Sequence, residues 1–232
     1  MSNRTNVRVK VYHYLFELVV IVSGITVSFL LNEWRLDRDG RESLRRDLMA
    51  LEISLATDRT ELLELIERRQ EVEPSMRLLM ERARVDGAGD EDLESLFAEM
   101  LDGAAFCFYP DSGAWRALVA SGNLRLIRDV ALQSALFDFY DHAVPRIADN
   151  NRLADEVLVT GLLAWLAGEF PVREGGTRTM GPLQLTPDNR AEFRRQVGRA
   201  LPHTSWYQEL LQQTLGQLER ALQAVRGHLE LG

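Results

Sequence analysis

Residues 18–31 read LVVIVSGITVSFLL, a run without a single charge. Such a run must leave water, either inside a protein core or inside a bilayer. Extended back to Tyr14 it is interrupted only by Glu17, and it then lies at the short end of the roughly 17–25 residues that span the hydrocarbon layer. Tyr12 and Tyr14 before it and Trp34 after it are placed like an aromatic belt. Arg4, Arg8 and Lys10 precede it, as in a signal peptide, but the exit reads Asn-Glu-Trp-Arg-Leu-Asp, which offers no small-x-small cleavage site. The expectation is an uncleaved transmembrane helix over 14–33 behind a basic flank at 1–13. A buried core helix is the competing fate.

Within that helix, Glu17, Gly24 and Ser28 share one face. Gly24 and Ser28 form a small-x-x-x-small pair, which lets another helix approach closely, and a carboxylate at the helix start calls for protein, water or head groups beside it. The three make a candidate contact face. The bland alternative places Glu17 at head-group level with Gly24 incidental. Tyr14, Asn32 and Trp34 are the candidate interface anchors. Orientation is ambiguous: five arginines between Asn32 and Asp47 favour a cytoplasmic bundle, while the short basic leader favours an extracytoplasmic one, and the second reading is preferred.

From Trp34 a heptad stripe continues. Leu44, Leu48, Leu51, Leu55, Leu62 and Leu65 fall on alternating steps of four and three, with Asp58 in the gap; Arg69, Val72, Met76, Leu79 and Ala83 keep the register. This predicts one long helix over 34–85, which Pro74 kinks or divides. Asp58 and Arg69 are eleven residues apart and cannot pair within one helix. A polar turn at 86–92 opens a helical domain, 86–232, that packs on the long helix. Its expected parts are a helix from about 92 to 101, an aromatic connector at 106–110, and helices over 113–121 and 123–142 separated by Gly122, with Pro145 just beyond the second. A helix at 150–169, a glycine-containing loop at 171–186, and a helix from Thr186-Pro187 that Pro202 closes follow. A last helix spans 205–231, with a stripe through Leu211, Leu215, Leu218, Leu222, Val225 and Leu229. Two long stripes in one chain favour intrachain packing over packing between subunits. The fold class expected is all-α.

The pattern YLFELVVIVSGITVSFLLNEWR resembles the start of an uncharacterised bacterial family of single-pass membrane proteins, through Glu17, Gly24, Asn32 and Trp34. The resemblance extends to Tyr109-Pro110, to Leu118-x-x-Ser121-Gly122-x-Leu124-x-Leu126-Ile127 and to Phe139-Tyr140, with Trp115 where the pattern has a tyrosine. The C-terminal third has no counterpart in it. The resemblance implies topology and brings no activity.

No pattern for chemistry emerges, and no cofactor or metal is expected. A net charge of -8 argues against nucleic acid and gives no broad polybasic patch for anionic lipid. Cys107, the one cysteine, sits between Phe106 and Phe108 with no cation evident nearby, and reads as a small buried hydrophobe. Asp138-x-x-x-His142 is the only metal-like spacing, and His142 reads better as a cation at a helix C-terminus. Lys10 is the sole lysine among 27 basic residues, a skew toward arginine that points to a GC-rich bacterial source.

Two functional expectations follow. The first is a helical interaction or scaffold protein held at the bacterial inner membrane, in contact with lipid and with a protein partner or a second copy through its helices, and not an enzyme. The second is a tethered ligand sensor with a pocket among Phe106, Phe108, Tyr109, Trp115 and Tyr140. A catalytic site at Asp138, Asp141 and His142 is a distant third.

Overall fold

The computed structural model describes residues 3–84, 93, 95–98, 100, 104, 106–170 and 185–231, with side chains from Leu18 onward. The described residues are helical, without strands. Helix α1 (Asn3–Arg69) runs unbroken from the basic flank through the apolar run into the leucine stripe. Leu18 to Leu31 are all exposed, and among the described residues one helix is long and apolar enough to cross a membrane. Among the described residues nothing packs on this stretch, unlike a core helix.

From Leu44 the stripe turns inward. Leu48, Leu51, Leu55 and Leu62 are buried, as the heptad spacing requires. Helix α1 ends at Arg69, and α2 (Val72–Arg82) restarts two residues later with Pro74 in its first turn, where a missing N–H costs nothing. Pro74 thus divides the long helix. The turn expected at 86–92 lies outside the described residues.

Helix α3 (Gly113–Ala120) leads to Gly122, whose φ of 74° gives the left-handed conformation that glycine accepts without strain. Sequence reasoning starts the next helix at 123. Instead a 3-10 turn (Asn123–Leu126) and an extended Ile127 intervene, and α4 (Val130–Phe137) begins behind Asp129. The Asp129 carboxylate accepts the backbone N–H groups of Ala131 (2.9 Å) and Leu132 (3.2 Å), a true N-cap.

The helix then passes through a π-helical segment (Asp138–Ala143), α5 (Val144–Ala154), a second π segment (Asp155–Leu163) and α6 (Ala164–Glu169) without a break. Pro145 therefore lies inside a continuous helix rather than beyond its end, because the wider π turn before it absorbs the missing N–H. His142 accordingly sits mid-helix, with no C-terminal dipole to serve. The glycines of the loop expected at 171–186 lie outside the described residues.

Helix α7 (Pro187–Leu231) also overrides a proline. Pro202 does not close it. The carbonyl facing the proline ring belongs to Gly198, and the Thr204 and Ser205 hydroxyls donate to the carbonyls of Ala200 (3.2 Å) and Leu201 (3.3 Å) beside it. Helices α1 and α7 pack antiparallel, with ion pairs Arg59–Glu219 (2.8 Å) and Arg226–Glu52 (2.8 Å) spaced seven residues apart on each helix. The buried spine of α7 runs through Tyr207, Leu211, Thr214, Leu218, Ala221 and Val225, while Leu215 and Leu229 are only half-buried.

Two apolar cores result. The proximal one joins α1, the 106–147 region and the second half of α7; the distal one joins α2, Leu93, Phe97 and Met100, the second π segment with α6, and the first half of α7.

Candidate functional site

A polar layer lies where the two cores meet. On α1 it contains Arg69, which the heptad register forces inward and which is 2% exposed. A buried guanidinium must spend its donors on acceptors. Arg69 donates through Nη1 to the carbonyls of Ala104 (3.1 Å) and Phe106 (3.1 Å) and lies 4.6 Å from the Tyr207 ring centroid. Tyr207 in turn donates its hydroxyl to Asn151 Oδ1 (2.6 Å) and accepts the Phe108 N–H (3.2 Å), while Asn151 donates to the Phe108 carbonyl (2.7 Å). Three helices thereby grip the backbone at Ala104, Phe106 and Phe108. Tyr207's own pKa is driven far up by burial, so it stays a neutral donor.

His203 stacks on Tyr207 with centroids 6.1 Å apart, and neither ring nitrogen has a partner among the described residues. Burial first, then the charge of Arg69, lowers its pKa, which keeps the ring neutral. Cys107 is half-buried beside the same layer, and burial raises its pKa. Sequence reasoning saw no cation near it. Arg69 is that cation, brought from 38 residues away, but desolvation outweighs it and the thiol stays protonated.

The second buried charge on the stripe is Asp58. It accepts the Asp111 N–H at 3.0 Å through Oδ1, while Oδ2 is buried without a hydrogen-bond partner among the described residues. Ser54 donates to the Asp111 carbonyl (3.2 Å), and the Asp111 carboxylate accepts the Gly113 N–H (2.7 Å) at the start of α3. Desolvation, against the relief from the Asp111 hydrogen bond, brings the Asp58 pKa to about 6. Asp58 and Arg69 thus each take backbone partners flanking the 106–110 connector, Asp111 on one side and Ala104 with Phe106 on the other.

The five aromatics expected to line one pocket divide. Trp115 and Tyr140 stack in the proximal core at 5.0 Å, filling it. Phe108 is buried, whereas Phe106 and Tyr109 are exposed and line a shallow cavity of about 220 Å³ with Glu61, Glu64 and Arg68. The connector plugs the core through Phe108 alone. Asp138, Asp141 and His142 fall in a π turn, with Asp141 and His142 exposed. Among the described residues no group of three or more acidic, histidine or cysteine side chains is arranged to hold a metal.

On the apolar stretch, Gly24 faces open space: an added Cβ would meet nothing within 4 Å. The Ser28 hydroxyl donates to the Gly24 carbonyl (2.8 Å) and so is satisfied within its own helix. A shallow depression runs over Val20, Gly24, Ser28 and Asn32. Asn32 therefore joins the Gly24–Ser28 face, which sequence reasoning missed by assigning it only to the interface. Trp34 is 64% exposed, and the Arg38 guanidinium lies 5.8 Å from its ring centroid. The side chains of Tyr14 and Glu17 lie outside the described residues.

No curated protein and no solved structure matches the chain. A family model described as a family of unknown function (DUF6090) matches residues 17–161, well over half of the chain, from the apolar stretch through the connector and into the second π segment. The chain belongs to this family of unknown function.

Proposed function

We propose that the protein is a membrane-anchored helical interaction module, tethered at a bacterial inner membrane by residues 14–33. The observation that supports this best is the unbroken α1, whose exposed apolar stretch and buried leucine stripe form one rigid rod. A rod continuous with the bundle couples the bundle rigidly to the anchor and sets its height above the bilayer. The Gly24 face is bare, and a second transmembrane helix fits such a small-residue notch. Glu17, one turn or two toward the helix start, would then face that partner helix.

The interaction is tested by Glu17→Leu and Gly24→Leu in the full chain. Both should still insert, and both should yield a smaller complex in mild detergent. An unchanged complex size in both variants overturns the contact face. The bundle is placed on the extracytoplasmic side; a reporter enzyme active only outside the cytoplasm, fused behind Leu231, should be active, and a silent one reverses the orientation. A ligand-sensing role would have to use the open cavity at Phe106 and Tyr109, since Trp115 and Tyr140 fill the core instead.

A further inference from the structure

Between α1 and the start of α3 lies a cavity of about 430 Å³. Asp58, Glu61, Tyr109 and Asp111 line it, and Ile53 and Ala114 give it an apolar wall. Asp58 is 2% exposed, and its Oδ2 has no hydrogen-bond partner among the described residues. An unmet carboxylate oxygen at that depth costs free energy unless something donates to it. The neighbouring polar groups of the wall do not. The Ser54 hydroxyl donates to the Asp111 carbonyl (3.2 Å) and the Thr57 hydroxyl to the Ile53 carbonyl (3.0 Å), so both protons are spent. Glu61 and Asp111 are carboxylates, which only accept when ionised. The cavity is thus walled chiefly by acceptors, with the exposed Tyr109 at its rim.

An acceptor-lined cavity suits a ligand made of donors. Among the described residues no three acidic, histidine or cysteine side chains converge to hold a metal ion. Asp58 Oδ1 already accepts the Asp111 N–H, which leaves one oxygen rather than the pair that a guanidinium fork prefers. An ammonium carries a compact charge, three N–H donors and no acceptor, and one free oxygen suits it. A carbon chain behind the nitrogen has Ile53 and Ala114 to lie against.

We propose that this cavity binds the ammonium group of a primary alkylamine, with the nitrogen on Asp58 Oδ2 and the carbon chain on Ile53 and Ala114. The ammonium belongs to a small free amine or to a lysine side chain of a partner protein. Neither the anchor nor the Gly24 face takes part in this site. Glu61 from α1, Asp111 beside the connector and Tyr140 from the first π-helical segment are the titratable groups that face Asp58. None of them is a cation, so the bound ammonium supplies the positive charge that the site lacks. Because Asp58 titrates at about 6, binding expels its proton, and affinity rises with pH until the carboxyl is ionised.

The test titrates the full chain in mild detergent with butylamine, followed by ligand-observed NMR with detergent alone as the blank. Wild type should bind butylamine at pH 7.5 and about tenfold more weakly at pH 5, as one carboxyl titrating between them requires. Asp58→Asn keeps the Oδ1 contact but puts an amide NH2 in place of Oδ2. It should stay folded by circular dichroism, bind at least about tenfold more weakly at pH 7.5 and lose the pH dependence. Tetramethylammonium, which has the charge but no N–H, should bind wild type at least about fivefold more weakly than butylamine. A doubly blocked lysine that binds as tightly as butylamine assigns the site to a partner's lysine, and weaker binding assigns it to a free amine. If wild type binds neither amine, or folded Asp58→Asn binds as well as wild type, the proposal is overturned. Equal binding of tetramethylammonium also overturns it, by reducing the site to a general acidic surface. No readout here depends on complex size, so this site and the Gly24 contact face fail separately.

Discussion

Asp58 and Arg69 stand where leucines would continue the stripe of α1, and both are held by backbone groups at or beside the 106–110 connector. Asp58 has a folded pKa of about 6 against 3.8 for the unperturbed group, chiefly through desolvation. The fold therefore favours the neutral carboxyl. That stabilisation is complete below about pH 4 and is lost as pH rises through about 6. Asp58→Asn keeps the acceptor for the Asp111 N–H and removes the charge. It should stabilise the bundle by about 1–3 kcal/mol at neutral pH and flatten its stability between about pH 4 and 6. Urea unfolding across that range reads both effects, and a wild-type profile already flat there contradicts the assignment. Arg69→Met should cost on the order of 3 kcal/mol in the same assay, because two buried carbonyls lose their donor. A near-neutral result would mean that the connector rearranges to find other donors.

At the scale of elements, the Asp129 cap is the feature that sets where α4 begins, and Asp129→Ala should cost about 1 kcal/mol, measured by chemical denaturation. A cost near zero would leave the Gly122 turn as the sole determinant of that boundary. This cap was legible, since an aspartate directly precedes the run VALQSALF, but the left-handed glycine earlier drew the boundary to itself. The leucine stripe of α1 was legible for a different reason: every apolar position at heptad spacing is buried, and periodicity alone carries that information. In α7 the same method chose Leu215 over Thr214, although Thr214 is fully buried with its hydroxyl on the Leu210 carbonyl (2.8 Å). A threonine that satisfies itself locally is apolar to its neighbours but polar on a hydropathy scale. Pro145 and Pro202 misled because a proline's effect depends on what lies one turn before it: a π turn in one case, Gly198 in the other. The polar layer was half legible. Arg69 and Asp58 were marked as needing partners, but those partners are backbone atoms, which no side-chain pattern announces.

At the scale of the whole molecule, two cores meet at a polar layer, and the proximal core stands on a helix that continues into an exposed apolar stretch. Removal of residues 1–33 should leave a soluble, helical bundle, because Leu44 is the first residue of the buried stripe. Circular dichroism with sedimentation checks this, and aggregation of the shortened chain would mean that further apolar surface belongs against the membrane or a partner. The proposed role is to hold a partner at the bilayer. The most direct measurement is the mass of the intact complex released gently from its native membrane, with its components identified. The expected result is a species heavier than one 26.4 kDa chain, containing a second protein or a second copy at fixed ratio. A lone monomer that stays monomeric in a lipid bilayer would contradict it.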